Sequence, residues 1–324
     1  MKKNNQYIID DSDTGLRLDV FLSEKLKISR SQVKKLIEKN LVKINDELPK
    51  KAGDILKIGY NIEITPEEIN RLPGQKKSTN GKKIKSEKKL VPKIISKTKD
   101  YLVIEKPSGL LTHATPEDAR WSIASWLQDK YPETKKVGDD PKVRPGIVHR
   151  LDKEASGLMV IARNQKMFEC LKKQFKERTV EKEYFALAHG RFTRDWETLN
   201  FPIARSENAE RMAARPVSEE IVEGEKEAIT EFMVEKRFVN FTLLRVTLHT
   251  GRMHQIRVHM LAYNHPLVGD PLYFQKKRKR DWDEKLGRLF LHSTKLSFTD
   301  LVGSRKTFES ELPDKLKMFL DTLA

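Results

Sequence analysis

The sequence predicts an α+β protein with a mixed β-sheet and flanking helices, preceded by a small separate domain. In the larger, C-terminal part of the 324-residue chain, segments with strand patterns outnumber segments with helical patterns. The two kinds do not alternate strictly, which argues against a doubly wound parallel sheet. A run rich in proline, glycine and lysine separates this part from an earlier block of periodic residues.

The small domain is predicted at residues 15–64 and opens with two helices. Apolar residues at helical spacing indicate the first helix, and Ser29 with Gln32 forms a capping box at the start of the second. Strand patterns follow near residues 41–44 and 55–64. Two helices and a small sheet can bury one another, so we expect this module to fold by itself.

A linker is predicted at residues 65–93. It is rich in lysine and almost free of large apolar residues, so burial cannot offset the entropy lost on ordering it. Its lysines either contact phosphates or are simply solvated, and the sequence leaves both interpretations open.

The main domain is predicted at residues 94–324. Apolar and alternating runs indicate strands at 101–104, 158–162, 180–188, 241–248 and 289–298. Helical spacing of apolar residues indicates helices at 121–126, 167–175, 253–261 and 316–323.

Composition and charge limit the class of protein. The formal net charge is +16 and the pI is near 9.6, which favours an anionic partner such as nucleic acid over a charge that serves solubility alone. The single cysteine, Cys170, excludes an intrachain disulfide and a thiolate metal cage. There is no apolar run of roughly 20 residues and no secretion signal, so we expect a cytosolic protein without a membrane span.

The segment at residues 144–158 is the strongest candidate site. It places a histidine, two arginines, an aspartate and two glycines directly before a predicted strand, where loops commonly carry function. Basic neighbours favour the ionised form of Asp152, and an ionised aspartate can act as nucleophile or base. The alternative is a surface ion pair in a turn.

Two further segments contain candidate residues. In residues 250–259, His254 and His259 are five positions apart, so they do not share the helix face that a zinc pair needs. On the strand at 180–188, Lys182 and Tyr184 point to one face, and the ring could stack on a base or lie half-buried in the sheet. Phosphate-loop, dinucleotide and serine-hydrolase motifs are missing, so we expect no metal or other cofactor.

These segments, in this order, resemble the RluA family of pseudouridine synthases over roughly residues 90–320. Residues 149–158 resemble the family's catalytic motif, 182–184 its Lys-x-Tyr motif and 251–259 its third motif. The module at 15–64 is similar to the RNA-binding domain named after small-subunit ribosomal protein four. This pairing, with residues 288–292, is most similar to the RluC and RluD type, which acts on large-subunit ribosomal RNA. Further matches are Lys106-Pro107-Ser108-Gly109, Gly269-Asp270 with Tyr273, and Leu291-His292.

The resemblance implies a mainly antiparallel mixed sheet and a set of roles. Asp152 would attack or deprotonate an extruded uridine so that its base detaches, turns and bonds through C5 to C1′. Arg257 would pair with Asp152, and Tyr184 would stack on the uracil. The expected partner is RNA, bound by a monomer. Substrate contacts are implied for His149, Arg150, Arg252, Gln255 and Ile256, and RNA contacts of the small domain for Arg30, Lys34 and Lys35.

Some positions depart from the family pattern, and some alternatives stay open. Ala155, residues 112–115 and Ser293 differ from the usual residues, which weakens any inference of the exact substrate. A non-catalytic RNA-binding assembly factor would share the basic composition, and a synthase acting on transfer RNA would share the motifs. A nuclease would need metal carboxylates or paired histidines, which the sequence does not offer.

Overall fold

A computed structural model describes the fold, which consists of two compact units, residues 1–87 and 88–324. Each unit is described by itself. The residues that the structure describes are 5–11, 13–26, 28, 30–64, 89–114, 120–206, 211–215, 224–275 and 280–323.

The first unit packs two helices on a three-stranded antiparallel sheet. The helices are α1 (Leu18–Leu26) and α2 (Arg30–Glu38), both of which the apolar spacing predicts. The predicted N-cap, Ser29, lies outside the described residues. The strand order is β1, β3, β2, and the bounds are Asn5–Ile8 for β1, Val42–Ile44 for β2 and Asn61–Ile64 for β3.

Two details of this unit differ from the sequence pattern. The strand β1 lies before residue 15 and pairs along its whole length with β3. The long strand pattern at 55–64 forms regular sheet only in β3, because a turn at Ile58 and Gly59 interrupts it and Ile55 makes an isolated bridge to Arg17.

The second unit is built on a nine-stranded, mainly antiparallel sheet, as the fold class predicts. Its strand order is β4, β5, β6, β13, β7, β12, β11, β8, with β14 paired to β13. A separate two-stranded ribbon joins β9 and β10. The bounds are Lys93–Lys97 (β4), Tyr101–Lys106 (β5), Ser156–Ala162 (β6), Glu181–His189 (β7), Trp196–Asn200 (β8), Ile203–Arg205 (β9), Met212–Ala214 (β10), Ile229–Arg237 (β11), Phe241–Leu248 (β12), Leu291–Thr299 (β13) and Arg305–Glu309 (β14).

Helices cover both faces of this sheet, which explains why its central strands are apolar on both sides. In β5, Leu102 and Ile104 pack with the helices at Ile123–Lys130 and Gln255–Ala262 (α3 and α5), whereas Tyr101 and Val103 pack with the helix at Gln165–Glu177 (α4). The side chain of Ser122 caps α3. The helices are Ile123–Lys130 (α3), Gln165–Glu177 (α4), Gln255–Ala262 (α5), Asp281–Leu286 (α6) and Asp314–Asp321 (α7), with a 3₁₀ turn at Pro132–Lys136.

The parallel pair of β6 and β13 lies in the middle of the sheet and needs a glycine. Gly157 pairs with Ser293 at a φ of +114°, a conformation that side chains disfavour. A Cβ at this position would lie 2.2 Å from the carbonyl oxygen of Ser293. The absence of a side chain therefore permits the close approach of the two strands.

In the part of the chain that the structure describes, no helix combines the length and the apolar character needed to cross a membrane.

Candidate active site

Asp152 lies in the loop that leads into β6, and the flanking backbone is held on both sides. The hydroxyl of Thr112 donates to the carbonyl oxygen of Leu151 at 2.8 Å. The Lys153 carbonyl accepts from the backbone N–H of Gly109 at 2.7 Å and from Nζ of Lys106 at 3.2 Å. The loop is thus fixed by the residues that follow β5, and the Asp152 carboxylate is left free to face a cavity.

Lys106 is a buried lysine behind this loop. Its amino group is fully buried and donates to the carbonyl oxygens of Pro107, Leu110 and Lys153. Burial lowers the pKa of Lys106 to about 7, although the charges of Asp152 and Glu154 oppose this shift. Lys106 therefore joins the two loop backbones through carbonyl groups instead of forming an ion pair.

Arg257 holds Asp152 from the other side. Its Nη1 lies 3.1 Å from Oδ2 of Asp152 and 3.4 Å from Oε2 of Glu154. Its Nε and Nη2 each lie 2.8 Å from the carboxylate of Asp270, which is a bidentate contact. The guanidinium also lies over the ring of Tyr273, 5.2 Å from the centroid.

Electrostatics keep Arg257 charged although the residue is only 1% exposed. Burial by itself would lower the pKa of Arg257, but the hydrogen bonds and charge of Asp270, followed by the charge of Asp152, raise it above its usual value. Asp270 in turn accepts from the backbone N–H groups of Leu272 and Tyr273. The arginine is therefore a fixed cation that presents one N–H edge to Asp152.

The Asp152 carboxylate opens into a cavity of about 560 Å³. The wall combines apolar side chains, Ile147, Leu248 and Leu291 among them, with several cations. Lys182 and Tyr184 both line it, as the alternation along β7 predicts. A cavity of this size, with apolar surface for a base and cations for a phosphate, can hold an extruded nucleotide.

Tyr184 is 6% exposed and lies deep in this wall. Burial, and next the charge of Asp152, raises the pKa of its hydroxyl above the usual value, although a hydrogen bond with Ser293 opposes the shift. The phenol is therefore protonated at neutral pH, and its ring is available to an aromatic ligand.

The other expected substrate residues are also in the wall, but they are engaged to different degrees. Arg150 is exposed and has no carboxylate partner among the described ion pairs. His149 stacks on Phe175 and accepts at Nε2 from the backbone N–H of Val160, and burial lowers its pKa to about 3. Ile256 contributes apolar surface.

Gln255 and Arg252 hold the turn before α5. Oε1 of Gln255 accepts from the hydroxyl of Thr250 and the backbone N–H of Arg252, and Nε2 donates to Ile229 and Thr230. Nε of Arg252 donates to the carbonyl of Glu227. Both side chains therefore use protein partners in this structure.

The expected RNA-binding residues of the small unit lie on α2. Lys34 is exposed and lies 3.5 Å from Glu38, one turn further along the helix. The side chains of Arg30 and Lys35 lie outside the described part of the chain.

Sequence reasoning assigned no role to four residues that the structure places around Asp152. Glu154, Asp270 and Tyr273 contact Arg257, and His254 lies 3.9 Å from Asp152. The signal was present for Asp270 and Tyr273, since the segment at 269–273 is part of the family resemblance. It was also present for His254, which lies in the segment 251–259 that resembles the family's third motif.

A second cavity of about 300 Å³ shares part of its wall with the first. Arg150, His254 and Arg257 belong to the walls of both cavities, and Lys153 and Glu154 line the second. Among the residues that the structure describes, no cluster of three histidine, cysteine or acidic side chains is placed to hold a metal ion.

Known proteins resemble both units. The family model described as RNA pseudouridylate synthase matches residues 100–262, and that of the S4 domain matches residues 16–62. An uncharacterized RNA pseudouridine synthase of Aquifex aeolicus is 38% identical over 264 residues, which are 79% of this chain and 76% of the relative. The ribosomal large subunit pseudouridine synthase D of Buchnera aphidicola is 34% identical over 88% of this chain and 86% of its own.

A solved structure, that of human RNA pseudouridylate synthase domain containing 4, superposes with a TM-score of 0.57 at 25% identity. The match covers 71% of this chain and 92% of the human one.

Proposed function

The chain belongs to the RNA pseudouridylate synthase family and is an RNA pseudouridine synthase, and we propose that it modifies large-subunit ribosomal RNA with Asp152 as its catalytic carboxylate. The observation that carries the catalytic assignment is the open carboxylate of Asp152, which is paired with a buried arginine at the wall of a nucleotide-sized cavity. The large-subunit assignment rests on relatives that carry this substrate in their names.

The reaction exchanges one bond for another and needs no net redox change. The N1–C1′ bond of uridine breaks, the base turns, and a C5–C1′ bond forms. The hydrogen on C5 leaves as a proton, and N1 gains one. Asp152 starts this sequence by attacking or deprotonating the nucleotide, and Arg257 pairs with its carboxylate and holds its direction.

The remaining roles follow from position in the cavity. Tyr184 stacks on the uracil with its ring. Arg150, which is exposed and borders both cavities, holds or replaces the extruded nucleotide. His149 and Gln255 shape the wall, since protein groups already occupy Nε2 of His149 and both polar atoms of the Gln255 side chain, and Ile256 and Arg252 border the base.

The small domain supplies further RNA contacts through basic residues in the sequence of α2, Arg30, Lys34 and Lys35. Such phosphate contacts offset the few kcal/mol that extrusion of a nucleotide costs. We further propose that the protein acts in the cytoplasm as a monomer and that the linker at 65–93 separates the small domain from the catalytic domain at 94–324.

Tritium release tests the proposal directly. Purified protein is incubated with transcripts of bacterial large-subunit ribosomal RNA and, in parallel, of transfer RNA, each labelled with [5-³H]uridine. We expect release from the ribosomal transcript, followed by mapping of the modified uridine. Release from transfer RNA alone would favour the transfer-RNA alternative. RNA binding without release from either would favour a non-catalytic assembly factor.

A further inference from the structure

His254 is a polar group of the active site to which the reaction scheme above gives no role. It borders both cavities and lies next to Asp152. Its backbone φ is +55°, in the left-handed region that residues with a Cβ disfavour. Because the hydrogen bonds of Gln255 hold this turn, the direction of the imidazole is fixed by the fold, and strain of this kind tends to collect at functional positions.

The hydrogen bonds of Tyr273 determine which ring nitrogen of His254 carries the proton. The phenol oxygen accepts from the backbone N–H of Met212 at 2.9 Å, and it also lies 2.9 Å from Nδ1 of His254. Tyr273 is 1% exposed, so its own proton must go to a protein acceptor, and Nδ1 is the acceptor within reach. The neutral ring then carries its proton on Nε2.

Nε2 of His254 faces a carboxylate that it does not reach. It lies 3.9 Å from Oδ1 of Asp152, which is too long for a direct hydrogen bond. Arg257 contacts the other oxygen, Oδ2. A donor and an acceptor thus face each other across a gap that admits one bridging oxygen at about 2.8–2.9 Å from each.

A hydroxyl group fits this gap, because its oxygen accepts a hydrogen bond while its proton is donated. We propose that His254 and Asp152 together bind the 2′-hydroxyl of the nucleotide to be modified. The inference rests on the proposed function, since a carboxylate that acts at C1′ has the 2′-hydroxyl on the adjacent carbon. The pair makes the enzyme select ribose over deoxyribose at the reacting position.

Equilibrium binding of product RNA tests this inference without turnover. A hairpin around the uridine mapped above is made with pseudouridine, with 2′-deoxypseudouridine or with 3-methylpseudouridine at that position. We expect the parent to bind the 2′-deoxy hairpin about tenfold more weakly than the pseudouridine hairpin, the effect of losing a hydrogen-bonded pair. In His254→Asn, which tolerates a positive φ and lacks a donor at the Nε2 position, the difference falls to about threefold or less.

Two further variants separate this role from a general effect on the fold. Tyr273→Phe removes the proton that fixes the tautomer, so it also reduces the discrimination. His249→Asn alters another histidine of the same cavity wall, one that pairs with Glu231, and it retains the tenfold difference. A change that only weakens folding lowers the affinity for all three hairpins alike.

Equal discrimination against 2′-deoxypseudouridine in the parent and in His254→Asn would overturn the inference, as would a parent that does not discriminate. The variant His254→Asn could instead lose discrimination between the pseudouridine and 3-methylpseudouridine hairpins. That result would show that the pair binds the base edge, and it would also overturn the inference. These outcomes leave the proposed function intact if tritium release occurs, whereas absence of release by the parent contradicts that function itself.

Discussion

Arg257 contacts two regions that differ in their access to solvent. On the closed side, Asp270 is fully buried, makes two 2.8 Å contacts with the guanidinium and accepts two backbone N–H groups. On the open side, Asp152 makes one contact of 3.1 Å, and its side chain is 14% exposed in a cavity wall. The same type of ion pair therefore fixes the arginine on one side and leaves a reactive carboxylate on the other. This contrast predicts that substitutions on the two sides separate activity from stability.

The largest expected effect is on activity, on the open side. Asp152→Asn removes the reacting charge but leaves Arg257 paired with Asp270, so we expect tritium release to fall by about 10⁴-fold or more, or roughly 5 kcal/mol in the barrier. The free energy of unfolding should change by less than about 1 kcal/mol, and RNA affinity should be nearly unchanged. Activity equal to that of the parent would contradict the catalytic assignment.

The next largest effect is on stability, on the closed side. Asp270→Asn breaks a buried bidentate pair and leaves part of the guanidinium unpaired, so we expect the free energy of unfolding to fall by about 3–5 kcal/mol. Urea denaturation of this variant and of Asp152→Asn in parallel measures the difference. If the two variants lost equal stability, the distinction between the two sides would be wrong.

The pH dependence of stability tests a second region that is closed to solvent, the buried hydrogen bonds around His292. His292 is fully buried between Ser156 and Ser310, and burial, with the nearby charge of Arg288, lowers its pKa to about 4. Between pH 6.5 and 4 the unfolded chain binds this proton and the folded protein does not, so stability falls as the pH falls. We expect His292 to account for about 2 kcal/mol of the loss between pH 7 and pH 5.

The variant His292→Gln is the control for that measurement. Its stability at pH 7 is lower, but its loss between pH 7 and pH 5 should be smaller than that of the parent, as urea denaturation at both pH values shows. An unchanged pH dependence would mean that His292 is not the group responsible.

The smallest expected effect concerns the third carboxylate on Arg257. Glu154 makes the longest contact, 3.4 Å, and its side chain is 32% exposed. Exposed pairs contribute little, so Glu154→Gln should change the initial rate of tritium release by less than about threefold and unfolding by less than about 1 kcal/mol. A loss as large as that of Asp152→Asn would place Glu154 in the reaction itself.

Local patterns predicted those elements whose burial is one-sided or complete. The helices α1 and α4 and the strands β5, β6 and β7 follow from apolar spacing. The edge strands β4 and β8 and the hairpin partner β14 were not predicted, because their exposed, charged residues give no clear period. Their pairing depends on neighbours that are distant in sequence.

The strand β11 was also not predicted, although its signal was present. Thr230 and Phe232 are buried alternately with half-buried neighbours, but the charged end of the strand masks this alternation.

The site was predictable where the chemistry lies in a motif. Local patterns singled out Asp152 and Tyr184, the family resemblance supplied their roles and the pairing with Arg257, and these roles remain proposals. Composition and spacing could not identify Asp270 as the second partner of Arg257, because this contact depends on how the loop after α5 folds back. They also could not give the tautomer of His254, which depends on one hydrogen bond of Tyr273.

The close contact between Gly157 and Ser293 has a consequence for how the reaction can be lost. A methyl group at residue 157 cannot fit without separating the two central strands, and the loop that carries Asp152 enters the sheet through the first of them. An inactive enzyme can therefore arise from a residue that bears no functional group and never meets the RNA. In this fold, the placement of the carboxylate depends as much on the absence of a side chain at residue 157 as on the arginine that holds it.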